Sequence, residues 1–395
     1  MKVWVEVSEE RLAGNFRAVA NAVGAETEVL AVVKANAYGH GISVCAPMLA
    51  RAGAQWLGVT DVAEGAAVRA ALEAAGIARR EQPGILVMSG LLREDAEEMV
   101  RLGLVPVVWL REQMEWLAEA AGRLGMGPVG VHVEIDTGMA RQGVVVGVEL
   151  EELVAWLRGE PGIRVDGVMT HFASSEVAGS LQTATQRGRF KRAVQMFEGV
   201  GLRPAWVHAG NSSTIDNEGL RNVAWLQGVA GIVGARSMVR AGIALYGYCL
   251  PIEGEGLSEV RQGLQPAMTW KTRVIGVREV EAGETVGYNG IFLAERPMRL
   301  ALLPVGYADG VRRELSASNA RDGGWAMVRG QRAPIVGRVS MNLTIVDVSG
   351  LEGVGLGDEV VVLGDGVTAE DHARLAGTIA YEIVCGVRVG YRCGV

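Results

Sequence analysis

Eight short apolar runs, spaced by stretches of helical character, organise the first 245 residues of this chain. They are Leu30–Val33, Trp56–Val59, Ile85–Met88, Val105–Val108, Val129–Ile135, Val165–Thr170, Ala205–His208 and Ser237–Arg240. Between them lie stretches such as Val62–Ala75, Glu112–Arg123 and Gln182–Val200, which read as helices. Strands separated by helical patterns form βαβ units and a parallel sheet. Eight of them predict an α/β fold of the closed (β/α)8 type. A doubly wound open sheet is the alternative, but the glycine fingerprint of a dinucleotide site is missing after the first run.

The texture changes after Tyr248. Pro251–Gly256 reads as a connecting loop, followed by β-rich runs at Met268–Val277, Leu300–Val305, Ile335–Val339, Leu343–Val348 and Glu359–Leu363. The expected division is a barrel over 1–248 and a mainly β-strand domain over 249–395. The alternating opening Met1–Val7 is read as a strand that pairs with the second domain. The apolar, glycine-rich segment Asn222–Arg236 has no account at this level.

The chain has 395 residues, 49% of them hydrophobic, which is enough for two sizeable cores. No apolar stretch approaches the roughly 18 residues of a membrane span. Net charge is −7 and no basic cluster occurs, which argues against nucleic acid and anionic membrane as partners. Cys45, Cys249, Cys385 and Cys393 lack metal-like or redox-like spacing, so no metal is expected and a reducing cytoplasm is the natural setting.

Only four lysines occur: Lys2, Lys34, Lys191 and Lys271. Lys34 alone ends an apolar run and opens a small-residue loop. There, desolvation would lower its proton affinity and make a usable amine nucleophile. Catalytic groups of a barrel come from the C-terminal ends of its strands. Reactive-looking residues fall at those ends: Lys34, the Asp136–Arg141 loop, His171, His208–Ser213 and Arg240–Ile243. Small residues and a serine after strands seven and eight suit a phosphate site. One amine beside a phosphate site suggests pyridoxal 5′-phosphate held as a Schiff base. His40 and His132 read as structural, His208 is open between roles, and His372 reads as a solvated helix residue.

The Lys34 segment, Asp136–Arg141, Thr170–Ala173, Ala209–Ser212, Arg240–Tyr246, Val286–Tyr288, Pro304–Gly310 and Arg338–Asn342 stand in the order found in alanine racemases. The resemblance covers nearly the whole chain. It implies a pyridoxal-phosphate-dependent isomerase that interconverts L- and D-alanine by two-base transfer of the α-proton. In bacteria this supplies D-alanine for peptidoglycan. By resemblance, Lys34 carries the cofactor and is one base. Tyr288 is the other, reaching the site of a second subunit in a head-to-tail homodimer with shared active sites. Arg240 faces the pyridine nitrogen, and His171 links it to Tyr288. Tyr38, Ser212, Gly242, Ile243 and Tyr381 hold the phosphate. Arg141 meets the phenolic oxygen and the substrate carboxylate, which the Met341 backbone N–H also meets.

Three positions depart from the family pattern. Glu134 stands where many members carry a carbamylated lysine, and its carboxylate is expected to bind Arg141 unaided. Asn342 replaces the usual Asp, and Gly210 the usual Ala. Broad-specificity, serine or lysine racemisation on the same machinery is the alternative. A decarboxylase of the same architecture finds no catalytic-looking cysteine in the second domain. A non-catalytic carrier of the cofactor is the reading of another class, opposed by Tyr288 and the second domain.

Overall fold

The structure, a computed structural model, describes residues 1–217, 219–255 and 260–392; Cys393 and Gly256 lie outside them. The chain forms two compact units, one spanning Glu10–Ala37 and Ile42–Gln265, the other Met1–Glu9, Tyr38–Gly41 and Pro266 onward.

The larger unit is an eight-stranded parallel barrel. The strands are β2 (Thr27–Val32), β3 (Trp56–Val59), β4 (Gly84–Val87), β5 (Val105–Val108), β6 (Val129–Asp136), β8 (Ile163–Met169), β9 (Trp206–His208) and β10 (Arg236–Ala241). They pair in the order β5-β4-β3-β2-β10-β9-β8-β6, and β5 against β6 closes the ring. A two-residue strand, β7 (Val144–Val145), extends the end of β6. Helices follow the strands, each stopped by local chemistry. Asp61 caps the helix Val62–Ala74 by accepting from the Glu64 amide, and Gly125 ends Arg111–Leu124 in the left-handed conformation.

Side chains two residues apart on a strand share a face. On β6 that places His132 and Glu134 together, on β9 Trp206 and His208, and on β10 Met238 and Arg240. Ring contacts join them: Trp56 lies 5.6 Å from His132 and 6.0 Å from Trp206, and His132 lies 4.9 Å from His208. One face of these strands thus runs from indoles through imidazoles to the Glu134 and Arg240 charges.

The segment Asn222–Arg236 is mostly a helix, Gly219–Ile232, between β9 and β10. Val223, Leu226, Val229, Ala230 and Val233 are buried at helical spacing, and Trp225 contacts Phe172 and Phe190. The exposed positions alternate Arg221 and Gln227 with Ala224, Gly228 and Gly231, so the polar face is too sparse to betray the period.

In the second unit, β1 (Val3–Val7) pairs antiparallel with β11 (Met268–Arg273) and parallel with β20 (Tyr391–Arg392). With β16 (Trp325–Val328), β17 (Gln331–Pro334) and β19 (Glu359–Leu363) they form a six-stranded sheet. A second sheet holds β12 (Gly276–Val280), β15 (Met298–Leu303) and β18 (Thr344–Asp347), and β13 (Thr285–Val286) with β14 (Phe292–Leu293) makes a hairpin. Lys271 pairs with Glu6 and Glu359 at 2.8 Å each, tying β1, β11 and β19. The run Ile335–Val339 is not a strand: only Ile335 bridges, to Val346, because Gly337 turns at φ +71°. The strand there is the polar Gln331–Pro334, whose exposed side chains hid it. His372 is not solvated; it is 3% exposed beneath Trp325. It sits on the inner face of the helix Ala369–Ala376, and burial pushes its pKa down to about 4.

Candidate active site

Lys34 follows β2 at the C-terminal rim of the barrel. The sequence places it at a desolvated strand end, but the structure leaves it exposed. Val33 takes the last buried position, and the chain then enters a left-handed turn: φ is +51° at Ala35, +53° at Asn36, +55° at Ala37 and +52° at Tyr38. Each L-residue so placed costs about 1–2 kcal/mol, since Cβ crowds the next carbonyl oxygen.

Arg240 ends β10 and is buried. Its Nη1 lies 3.2 Å from His208 Nδ1, and its Nη2 donates to the Thr170 carbonyl at 2.8 Å and lies 3.2 Å from His171 Nδ1. A guanidinium only donates, so both imidazoles accept at Nδ1 and carry their proton on Nε2. His208 Nε2–H then donates to His132 Nδ1 at 2.8 Å. Burial first, then the Arg240 charge, pushes His171 down to about 3. Burial lowers His132 to about 4 and His208 well below the ordinary imidazole value. All three are neutral at pH 7. Burial lowers Arg240 itself to about 10, with the Glu134 charge opposing, so it stays a cation.

Ser212 opens the short helix after β9. Its Oγ accepts from the Gly242 and Ala244 amides at 3.0 and 3.2 Å. With both acceptor positions taken, its own hydrogen is left to donate. The Gly242 N–H, assigned from sequence to a phosphate, is held by this hydroxyl.

After β6, Asp136 Oδ1 accepts from the amides of Gly138, Met139 and Ala140 at 2.8–3.2 Å, coiling the loop. Arg141 emerges exposed, with Gln142 turned inward. The expected Glu134–Arg141 pair is therefore not formed. Gln142 Nε2 donates instead to Glu134 Oε2 and, at 2.9 Å, to the Met88 carbonyl. Glu134 is 2% exposed, and burial raises its pKa against the pull of Gln142, Arg240 and Arg141.

Sequence reasoning missed Gln142 and also Gln186. The latter joins the Ala173 amide, the His171 carbonyl and the Thr137 hydroxyl from the helix Leu181–Gly199, whose buried face is otherwise Phe190, Ala193, Val194 and Phe197. Only a polar residue on the buried face of that helix signalled it.

Tyr38, Tyr288, Met341 and Tyr381 lie in the second unit. Tyr38 is buried, 6.0 Å from Tyr381 edge to face, and burial raises its hydroxyl pKa. Tyr288 stands at the tip of the β13–β14 hairpin, 67% exposed, after Gly287 at φ +76°. The hairpin rests on Val280, Val286, Ala294, Met298, Leu300 and Val336. Met341 is 56% exposed, and its carbonyl accepts from the Ala308 amide at 2.9 Å.

The donor set suits pyridoxal 5′-phosphate: an accessible amine, a fixed cationic donor, and a hydroxyl oriented by two amides. Residues 7–250 match the alanine racemase N-terminal domain and 267–393 the C-terminal domain. The alanine racemase of Syntrophobacter fumaroxidans is 35% identical over 97% of this chain and 95% of its own. That of Symbiobacterium thermophilum is 37% identical over 97% and 94%. The solved structure of alanine racemase from Streptomyces coelicolor A3(2) superimposes with a TM-score of 0.85 at 32% identity, covering 100% of this chain and 98% of that one. The Bartonella henselae alanine racemase with covalently bound pyridoxal phosphate superimposes at 0.78, with 27% identity and 99% coverage of each. The chain belongs to the alanine racemase family.

Proposed function

We propose that this protein interconverts L- and D-alanine with pyridoxal 5′-phosphate on Lys34, as a cytoplasmic homodimer that supplies D-alanine for peptidoglycan. The observation that carries the reading is Arg240, held as a cation on the neutral acceptors His171, His208 and Thr170 O. Bound pyridoxal phosphate withdraws electrons from the substrate Cα and acidifies its hydrogen. The chain's residues do the rest. Arg240 donates to the ring nitrogen, which as an arginine it cannot protonate. Ser212, Ile243, Tyr38 and Tyr381 hold the phosphate, and Gly242 serves it through Ser212, whose hydroxyl its N–H orients. Arg141 and the Met341 amide hold the substrate carboxylate, with Glu134 supplying negative charge behind them.

Racemisation removes a proton from one face of Cα and returns one to the other. Lys34 Nζ serves one face, and Tyr288 of the partner subunit the other. His171 Nε2–H is the donor left to meet the Tyr288 oxygen, which favours its phenolate.

The test is α-proton exchange in D2O on single enantiomers of alanine, serine and lysine, following deuterium at Cα and product chirality. Exchange with inversion, fastest for alanine, is expected. Faster serine or lysine exchange would reassign the substrate. Cofactor binding without exchange would favour a carrier. Tyr288→Phe is expected to keep cofactor binding and lower turnover about 10²- to 10⁴-fold.

A further inference from the structure

Four successive non-glycine residues, Ala35 to Tyr38, take the left-handed region after Lys34, so the turn persists only where its surroundings over-determine it. Local bonds restrain it: the Ala37 amide donates to the Val33 carbonyl at 2.8 Å, the Ile42 amide to Asn36 Oδ1 at 2.9 Å, and His40 Nδ1 lies 3.0 Å from the Tyr38 carbonyl. A further restraint comes from a different element. Glu64 Oε1 accepts from the Asn36 amide at 3.2 Å, and Glu64 Oε2 from the Thr60 amide at 2.9 Å.

Glu64 occupies the third position of the helix capped by Asp61. A glutamate there ordinarily reaches back to the amide of its own cap residue. This one reaches past it, to the residue that follows β3 and to the centre of the strained turn. One carboxylate thus ties the backbone two residues beyond Lys34 to the end of the neighbouring barrel strand. Bonds from N–H groups to an ionised carboxylate are strong enough to hold a disfavoured conformation.

We propose that Glu64 is a positioning residue for Lys34: its carboxylate holds the left-handed turn and thereby fixes where the Lys34 amine stands. The proposal rests on the reading of Lys34 as the cofactor-bearing amine. Without Glu64 the turn relaxes toward ordinary backbone angles and the amine departs from its working position. A displacement near 1 Å lowers turnover about 10²-fold.

The test compares wild type, Glu64→Ala, Glu64→Gln and the double variant Glu64→Ala/Ala35→Gly as holoenzymes. Borohydride reduction and peptide mapping of wild type come first, to locate the cofactor. Label on a lysine other than Lys34 overturns the Lys34 reading itself. With label on Lys34, Glu64→Ala is expected to lower kcat about 10- to 100-fold, with little change in KM for alanine, and to weaken binding of pyridoxal phosphate. Glycine adopts the left-handed region without penalty, so Ala35→Gly is expected to restore most of both losses. Wild-type kcat and cofactor affinity in Glu64→Ala, or a loss that glycine does not restore, overturns the positioning role. Should Glu64→Ala fail to fold, the glycine rescue is read in Glu64→Gln, which keeps one of the two acceptors.

Discussion

Arg240 reaches His171 Nδ1 across 3.2 Å, and that pairing decides the tautomer of the imidazole. Because a guanidinium has no acceptor, His171 turns its Nε2 proton away from Arg240. His208 does the same toward His132. Arg240→Lys keeps the charge, but its three N–H donors radiate from one point in place of a planar fork, and meeting His171, His208 and Thr170 O would leave none for the cofactor. Its kcat/KM is expected to fall at least about 10²-fold, measured on alanine in both directions, and near-normal turnover would remove this network from the mechanism.

Glu134 faces Gln142 and lies within the fields of Arg240 and Arg141. Glu134→Gln keeps an acceptor for Gln142 but deletes the negative charge. KM for alanine is expected to rise several-fold with cofactor binding intact. Unchanged kinetics would reduce Glu134 to packing.

The proposed sharing of sites between two subunits predicts complementation. Lys34→Ala and Tyr288→Phe chains should each be all but inactive as homodimers, while a mixed dimer would contain one site with both native residues. Random reassortment is expected to restore about one quarter of wild-type activity, since half the dimers are mixed and each has one good site. No recovery after confirmed subunit exchange would place both residues of a site on one chain.

His132, His171, His208 and His372 are held neutral, with pKa values below the unfolded value of 6.5. Between pH 6.5 and about 4 the unfolded chain binds protons that the native chain refuses, so stability falls as pH falls through that window. His372 alone, at about 4, contributes a loss on the order of 3 kcal/mol. Denaturant midpoints measured from pH 7 to 4.5 should drop, and His372→Phe should flatten the slope.

Gly39 stands at φ +79°, where an added Cβ would lie 2.0 Å from the Val384 carbonyl oxygen. Gly39→Ala forces both strain and backbone movement. A loss of about 3 kcal/mol or more is expected in urea titration, whereas Gly76→Ala, also at positive φ but with open space around it, should cost only about 1 kcal/mol.

The barrel was legible because its eight strands are contiguous apolar runs whose spacing equals one helix plus two turns. The helix Gly219–Ile232 was not, since glycine and alanine share its exposed side with only Arg221 and Gln227, which blurs the amphipathic period. His372 was misread because Asp371 and Arg374 make its neighbourhood look wet, while its own position faces Trp325.

By itself the sequence determined the strand count, the order of chemical groups along the barrel rim, and the scarcity of amines that singles out Lys34. Those are properties of composition and spacing along one dimension. Tertiary structure decided the rest. It chose Gln142 over Arg141 as the Glu134 partner, drew His132 and His208 into line with Arg240, and set Glu64 against the turn beyond Lys34. Each of these depends on which backbone groups need partners once the loops have closed, and that demand exists only in three dimensions.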